Sequence, residues 1–389
     1  MKIRNWCLKF HAWIALFVGF LFVVLGLTGS INVFRWEIDA LLNPSVKATK
    51  EYGETRSLDE IVRAAMEVLP NCKGKWSLQL ASNVSPMALV RCRETRSEHW
   101  FSLQMIWVNP YTAEVVSSRT FGKFFATWVY DLHWALLMGK TGHILVGILG
   151  LFLMTSLMTG LYLWWPSLRG LGKALTIKRK ASSERKIFDL HKTFGFYALP
   201  ILFGLAFTGT YLVFPEYIKP LVNQFSSATP GSQNMVSVPI SGQMPIGVDK
   251  AAEVAKQVFS DGELKWIGIP NGPQGVYEVS LRRDKGGVSE LLNKTYGGSR
   301  VVIDQYSGQI LAVHDSENLT FGELFFDVQW PFHSGEALGL PGRILWCAVG
   351  FVPLILYVTG LIRWFQKRQA SRKSLARKNL RSYPIINNE

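Results

Sequence analysis

The sequence predicts an α-helical membrane protein with four transmembrane helices, an internal duplication and two external α+β domains. Three observations support this fold class: four long stretches without charged residues, basic residues gathered in short segments, and a repeat along the chain. Of the 389 residues, 48% are hydrophobic and 13% are aromatic, which is too apolar for an ordinary soluble enzyme of this length.

Four stretches contain no Asp, Glu, Lys or Arg, and they are residues 12–34, 142–168, 193–215 and 344–362. A helix needs about 20 apolar residues to cross a hydrocarbon core of about 30 Å. A lipid-exposed backbone must satisfy its own hydrogen bonds, which favours helices. We therefore predict transmembrane helices at 11–34, 142–166, 191–215 and 342–364.

The net charge of +14 is concentrated in residues 1–10, 166–190 and 363–389, which carry 18 basic and three acidic side chains. Basic residues flank transmembrane helices on the cytoplasmic side, so both termini are predicted to be cytoplasmic. Contact with anionic lipid headgroups of the bilayer accounts for this charge, and we predict no nucleic-acid partner.

The predicted external domains occupy residues 35–132 and 216–332. In each, a helical start is followed by alternating segments and a polar turn, which predicts a small α+β sandwich. The other predicted segments are interfacial stretches at 133–141 and 333–341, a basic cytoplasmic loop at 167–190 and a basic tail at 365–389. Cys72 and Cys92 lie in the first domain, and the sequence leaves open whether they form a disulfide.

The chain repeats itself, so that each half reads helix, external domain, helix. His11 aligns with His191 and Thr28-Gly29 with Thr208-Gly209. In the same way His133 aligns with His333 and Thr159-Gly160-Leu161 with Thr359-Gly360-Leu361. The direction of the helices puts the first histidine pair near the cytoplasmic face and the second near the external face.

Histidine at membrane depth is a candidate functional residue, and two facing imidazoles suit both axial positions of one haem iron. An interfacial histidine can instead be a solvated or hydrogen-bonded side chain, and the residues alone leave both interpretations open. Six glycines would let helices one and three accept a flat macrocycle, or would simply pack helices. They are Gly19, Gly26, Gly29, Gly195, Gly204 and Gly209.

Basic side chains near the histidines are candidates for pairing with haem propionates, and they are Arg4, Lys9, Lys192 and Arg343. His143 begins the second predicted span where the repeat has Arg343, so we expect it to contact a propionate or a ligand. The sequence has no C-x-x-C-H motif, so a bound haem would be b-type. It also has no flavin or NAD motif, so electrons would come from a separate cytoplasmic or membrane donor.

Five motifs together resemble the PepSY-associated transmembrane family of bacterial iron-regulated membrane proteins. They are LHWALLMGKTG at 132–142, GLYLWWP at 160–166, DLHKTFG at 189–195, HSGE at 333–336 and GLPGR at 339–343. The resemblance covers essentially the whole chain and includes two PepSY-like domains, which it implies are periplasmic. It implies a multi-pass location in the bacterial inner membrane.

Members of this family include inner-membrane ferric-siderophore reductases with two b-type haems. The resemblance therefore implies that His11 and His191 bind one haem iron and that His133 and His333 bind the other. It implies an oxidoreductase that passes electrons from the cytoplasmic side to a ferric siderophore and releases Fe(II). The family usually has Arg at the position of His143, which leaves an alternative external ligand open there.

Aromatic residues of the external domains are expected to line a cavity for the chelate or to pack, and they are Trp100, Trp107, Trp128, Trp330 and Phe332. A function of a different class remains possible at this point. The chain could be a membrane-anchored PepSY module that binds or inhibits a periplasmic partner without redox activity. That interpretation predicts a colourless protein and gives the paired histidines no role.

Overall fold

The structure is a computed structural model that describes residues 2–46, 53–82, 86–95, 101–166, 168–178, 180–226, 235–293 and 295–381. The chain divides into two units. Unit one comprises Met1–Ser30, Ile148–Phe207 and Cys347–Glu389, and unit two comprises Ile31–Gly147 and Thr208–Trp346. Each predicted histidine pair falls within one unit, His11 and His191 in the first and His133 and His333 in the second.

The α-helices of the described chain are α1 (Lys2–Phe17), α2 (Gly19–Asn32), α3 (Arg35–Leu42), α4 (Leu58–Val68), α5 (Phe125–Ala135), α6 (Gly139–Trp164), α7 (Leu171–Ala174), α8 (Ser183–Val213), α9 (Pro215–Asn223), α10 (Val248–Val258), α11 (Val288–Leu292), α12 (Phe321–Ser334), α13 (Gly339–Val349) and α14 (Val352–Arg381). The strands are β1 (Lys75–Gln79), β2 (Ala88–Glu94), β3 (Ser102–Val108), β4 (Val115–Thr120), β5 (Gly262–Gly268), β6 (Val276–Arg283), β7 (Ser299–Asp304) and β8 (Ile310–His314).

Three helical segments within the described residues are long and apolar enough to cross a membrane: Gly139–Trp164, Ser183–Val213 and Glu336–Ser374. α1 and α2 pass the same test together, but a bend of 60° separates them. A helical membrane protein is therefore the fold class. The first predicted span consists of two helices, and the tail predicted at 365–389 continues α14 as a helix to Arg381.

α8 begins eight residues before the predicted span because polar side chains satisfy its first turns. Ser182 Oγ accepts a hydrogen bond from the backbone N–H of Arg185, as helix-capping residues do. The carboxylate of Asp189 is fully buried and pairs with Arg185 and Lys192, each at 3.0 Å. These pairs lie one helical turn from Asp189 on either side, the spacing at which helical side chains meet.

The eight strands form one antiparallel sheet in the order β4-β3-β2-β1-β5-β6-β7-β8. Two separate sandwiches are expected from the sequence, but β1 and β5 pair with each other, with Gln79 opposite Trp266. The two predicted domains are therefore halves of a single sheet in unit two. Period-two alternation identifies strands, but it does not show which strand edges pair.

α4 and α10 cover one face of this sheet. Buried residues of the two helices, among them Ile61 and Ala251, pack on Val90 of β2 and Val279 of β6. The helices also cap each other: Asp249 accepts from the backbone N–H groups of Leu58 and Asp59, and Asp59 accepts from those of Val248 and Asp249. Carboxylates at helix N-termini satisfy donors that have no intrahelical acceptor.

The opposite face carries ion pairs to other helices at its two ends. Arg119 of β4 pairs with Asp39 of α3 at 2.8 Å, and Arg300 of β7 pairs with Asp327 of α12 at 3.0 Å. A disulfide joins Cys72 to Cys92 of β2, which answers the question that the sequence leaves open. Cys7 and Cys347 are free thiols.

Candidate functional site

In unit one, His11 of α1 and His191 of α8 face each other. Their ring centroids are 6.4 Å apart, and the ring planes are nearly perpendicular at 87°. Each ring packs against a glycine: a Cβ added at Gly160 would lie 3.1 Å from His11 Cε1, and one at Gly360 would lie 3.4 Å from His191 Cε1. Only glycine leaves room for an imidazole so close to a helix backbone.

The threonine before each of these glycines binds the same histidine. His191 Nδ1 lies 2.9 Å from Thr359 Oγ1, and His11 Nδ1 lies 3.3 Å from Thr159 Oγ1 and 3.0 Å from the Ser156 carbonyl oxygen. The Thr359 hydroxyl donates its proton to the Ile355 carbonyl at 2.6 Å. Its oxygen can then only accept from the histidine, so Nδ1 carries the proton and Nε2 keeps a lone pair for a ligand bond.

In unit two, His133 near the end of α5 faces His333 near the end of α12. Their ring centroids are 6.2 Å apart, with an interplanar angle of 47°. Thr208 Oγ1 lies 2.9 Å from His333 Nδ1, and a Cβ at Gly209 would lie 3.0 Å from His333 Cε1. Both histidines therefore lie on helices, where the sequence predicts interfacial segments.

Both pairs have the spacing of two axial ligands on one metal. With a metal–imidazole bond of about 2.0 Å and roughly 1.1 Å from nitrogen to ring centroid, the two centroids lie about 6.2 Å apart. Among the described residues no group of three or more His, Cys, Asp or Glu side chains could hold a metal ion. Two histidines are enough when a macrocycle supplies the other donors, as in haem.

Buried polar atoms near both pairs fit the carboxylates of such a macrocycle. Within the described chain, Thr193 Oγ1, Trp330 Nε1 and both amide atoms of Asn32 are buried without a hydrogen-bond partner. Thr193 follows His191 by two residues, and Trp330 precedes His333 by three residues on α12. A buried donor without an acceptor costs about 1–3 kcal/mol, so these atoms suit an additional acceptor.

The basic residues predicted to pair with propionates mostly have protein partners. Arg343 Nη2 pairs with Glu37 at 2.6 Å, Lys192 with Asp189 at 3.0 Å, and Arg4 donates to the Leu163 carbonyl at 3.1 Å. Lys9 is exposed. The contacts of Arg343 and Lys192 therefore stabilise the protein fold and favour other donors for the carboxylates.

His143 lies beside the second pair. Its Nδ1–H donates to the Trp134 carbonyl at 3.2 Å, and its ring packs edge-on against the Trp134 ring at 4.8 Å. The Trp134 indole in turn donates to Asp131 at 3.0 Å. Burial raises the pKa of the Asp131 carboxyl, while this hydrogen bond acts in the opposite direction. His143 thus orients the residue that follows His133.

Several expected cofactor and cavity contacts have other roles in the structure. A Cβ at Gly19 would lie 2.7 Å from the Tyr357 ring and one at Gly26 would collide with the Gly350 carbonyl, so both glycines pack helices rather than face a macrocycle. Trp107 is buried under the Arg119 guanidinium, 4.0 Å away, rather than lining a cavity. Trp128 and Phe332 are exposed. His99 and Trp100 lie outside the described residues.

The sequence interpretation missed the role of the Thr-Gly dipeptides, which it treats as helix-packing features. The signal was present, because each dipeptide recurs together with a histidine in the repeat. A repeated small-residue motif is ambiguous, however, since the same residues also allow close helix packing.

A family model described as the PepSY-associated TM region matches residues 8–367. The chain therefore belongs to this family of membrane proteins. A comparison with curated protein sequences gave no significant match.

Proposed function

We propose that this protein is a di-haem inner-membrane reductase that passes electrons from the cytoplasmic side to a ferric siderophore in the periplasm. His11 and His191 would hold one b-type haem, and His133 and His333 would hold the other. When bound, each haem would supply a one-electron carrier with no open coordination position, which suits electron transfer better than oxygen chemistry.

The observation that carries this proposal is the facing of both histidine pairs at the separation of two axial ligands, 6.4 Å and 6.2 Å between centroids. A hydrogen-bonded pair of histidines, or two unrelated interfacial histidines, gives no reason for the same spacing twice. The protonated Nδ1 of His191 and the Thr359 oxygen that accepts from it leave Nε2 available for iron.

The proposal includes four membrane spans with both termini in the cytoplasm. The bent pair of α1 and α2 would be the first span, beside the three helical segments that are each long enough. The basic segments at 1–10, 166–190 and 363–389 would then share the cytoplasmic side. Internal duplication is supported by the recurrence of one contact, because Thr159-Gly160 meets His11 as Thr359-Gly360 meets His191.

The disulfide between Cys72 and Cys92 supports a periplasmic position for the sheet, because disulfides persist in oxidising compartments. The free thiols, Cys7 and Cys347, both belong to unit one. Reduction of the bound iron(III) would weaken its bonds to hard oxygen ligands, so the chain would need no group that cleaves the chelator.

The test is to purify the protein after expression with ample haem and to measure the haem-to-protein ratio and the dithionite-reduced spectrum. The reduced protein is then mixed anaerobically with a ferric tris-hydroxamate, and Fe(II) is captured with a chromogenic chelator. We expect about two haems per chain, reoxidation by the chelate, and loss of about half the haem in His133→Ala. A colourless protein would refute the proposal and favour the membrane-anchored module.

A further inference from the structure

The sheet carries arginines that the proposed haem sites do not use. Ala88 and Val90 of β2 lie in the core under α4 and α10. Successive strand residues point to opposite faces, so Arg91 and Arg93 lie on the other face. β2 is the third strand from one edge of the eight-stranded sheet, and there Arg91 Nη2 donates to Gln79 Oε1 at 2.6 Å.

A row of aromatic rings connects these arginines to α5. Arg93 Cζ lies 4.5 Å from the Phe101 ring centroid, and Phe101 contacts Trp134 at 5.7 Å. Trp134 stacks with Tyr130 at 6.0 Å and 20°, and Arg35 Cζ lies 4.3 Å from the Tyr130 centroid. Two guanidinium groups thus lie at the two ends of one aromatic row.

The positive charges in this row attract a negatively charged ligand. In the described part of the chain, Arg35, Arg91 and Arg93 form no salt bridge. Burial lowers the pKa of Arg91; the nearby Tyr296 hydroxyl raises it and Arg35 lowers it. Half-buried like charges disfavour one another, and an anion between them would remove that cost.

We propose that Arg35, Arg91 and Arg93 form the binding site for the chelate, and that this site selects ferric chelates with a net negative charge, of the catecholate class. The paired oxygens of a catecholate suit the fork of a guanidinium, and its flat rings suit stacking on Phe101 and Trp134. Only the identity of the bound metal complex rests on the proposed reductase function.

The location supports a role in delivery of the chelate to the second histidine pair. Tyr130 precedes His133 by three residues on α5, and residues at this spacing share one side of a helix. Trp134 follows His133 directly. A chelate held along this row would therefore lie beside the helix that carries one proposed iron ligand.

Haem propionates have similar chemistry, since they are also oxygen anions, so the test separates the two sources. The variants are Arg91→Gln/Arg93→Gln, the charge-conserving Arg91→Lys/Arg93→Lys, and the control Arg63→Gln/Lys256→Gln. The control removes two exposed positive charges from α4 and α10, on the other face of the sheet. Binding of a ferric tris-catecholate and a neutral ferric tris-hydroxamate to the full-length protein in detergent is measured by equilibrium dialysis with iron analysis, alongside the haem-to-protein ratio.

We expect the glutamine variant to bind the ferric tris-catecholate roughly tenfold or more weakly, and the neutral complex within about twofold of the wild type. The lysine variant should recover part of the affinity, and the control should match the wild type. Equal affinity of the wild type for both complexes, or no tris-catecholate binding at all, would overturn the proposal. A fall in haem content with unchanged tris-catecholate affinity would assign the arginines to the propionates instead. A haem-free protein that still shows this selectivity would sustain the site and reject the reductase.

Discussion

Replacing Thr359 with valine removes the acceptor that fixes the orientation of His191. Thr359 Oγ1 lies 2.9 Å from His191 Nδ1 and donates to the carbonyl oxygens of Ile355 and Leu356 at 2.6 and 3.2 Å. Valine has nearly the same shape, so the substitution leaves the packing in place and removes the hydrogen bonds. The His191 ring then loses the partner of its Nδ1 proton.

The size of the effect follows from the strength of one hydrogen bond, about 0.5–1.5 kcal/mol net. A hydrogen-bonded Nδ1–H makes imidazole a more basic ligand, which favours ferric over ferrous iron. Its loss should therefore raise the midpoint potential of that haem by about 20–60 mV, because about 59 mV corresponds to 1.4 kcal/mol for one electron. Haem affinity should fall by roughly tenfold or more.

The assay is a spectroelectrochemical titration of the purified protein, with the haem-to-protein ratio measured in parallel. Thr155→Val is the matched control, because Thr155 Oγ1 makes the same bond to a carbonyl one turn earlier, at 2.8 Å to Leu151, and is exposed. A Thr359→Val protein whose potential and haem content equal those of the control would refute the orienting role of the hydrogen bond.

Three further predictions test the fold and the site. Gly160→Val should displace His11, because even a Cβ at position 160 would lie 3.1 Å from His11 Cε1, and it should remove about half the haem. Gly172→Val, where a Cβ would meet no described atom within 4 Å, should retain the haem. Alkylation should modify two thiols before reduction and all four afterwards, because only Cys72 and Cys92 are joined; loss of this bridge should cost roughly 3 kcal/mol for a loop of this length. Burial alone would raise the pKa of Asp304, but hydrogen bonds from Ser307 and Tyr306 hold it below its usual value. Its charged form therefore stabilises the fold above the ordinary aspartate range and loses this effect as pH falls through the lowered pKa. Asp304→Asn should lower the thermal midpoint at neutral pH, and the difference should shrink in acid.

The sequence predicts the membrane helices well because charge-free length is a direct consequence of the bilayer. It places their ends less well, since polar contacts such as those of Asp189 extend α8 beyond the apolar stretch. The pairing of β1 with β5 could not be predicted, because either half has the alternation of an independent sheet.

The site divides in the same way. The repeat predicts which histidines correspond, and the structure brings His11 to His191 and His133 to His333. The partners of Arg343 could not be predicted, because Glu37 lies about 300 positions away along the chain and their contact exists only in the folded protein.

Electron paramagnetic resonance of the oxidised wild-type protein tests the central claim most directly. The two pairs differ in the angle between their imidazole planes, 87° and 47°, and this angle shapes the signal of low-spin ferric haem. We therefore predict two distinct low-spin signals of equal intensity, one lost in His11→Ala and the other in His133→Ala. A single low-spin signal, a high-spin signal from an open iron site, or no haem signal at all would contradict the assignment of two bis-histidine haems.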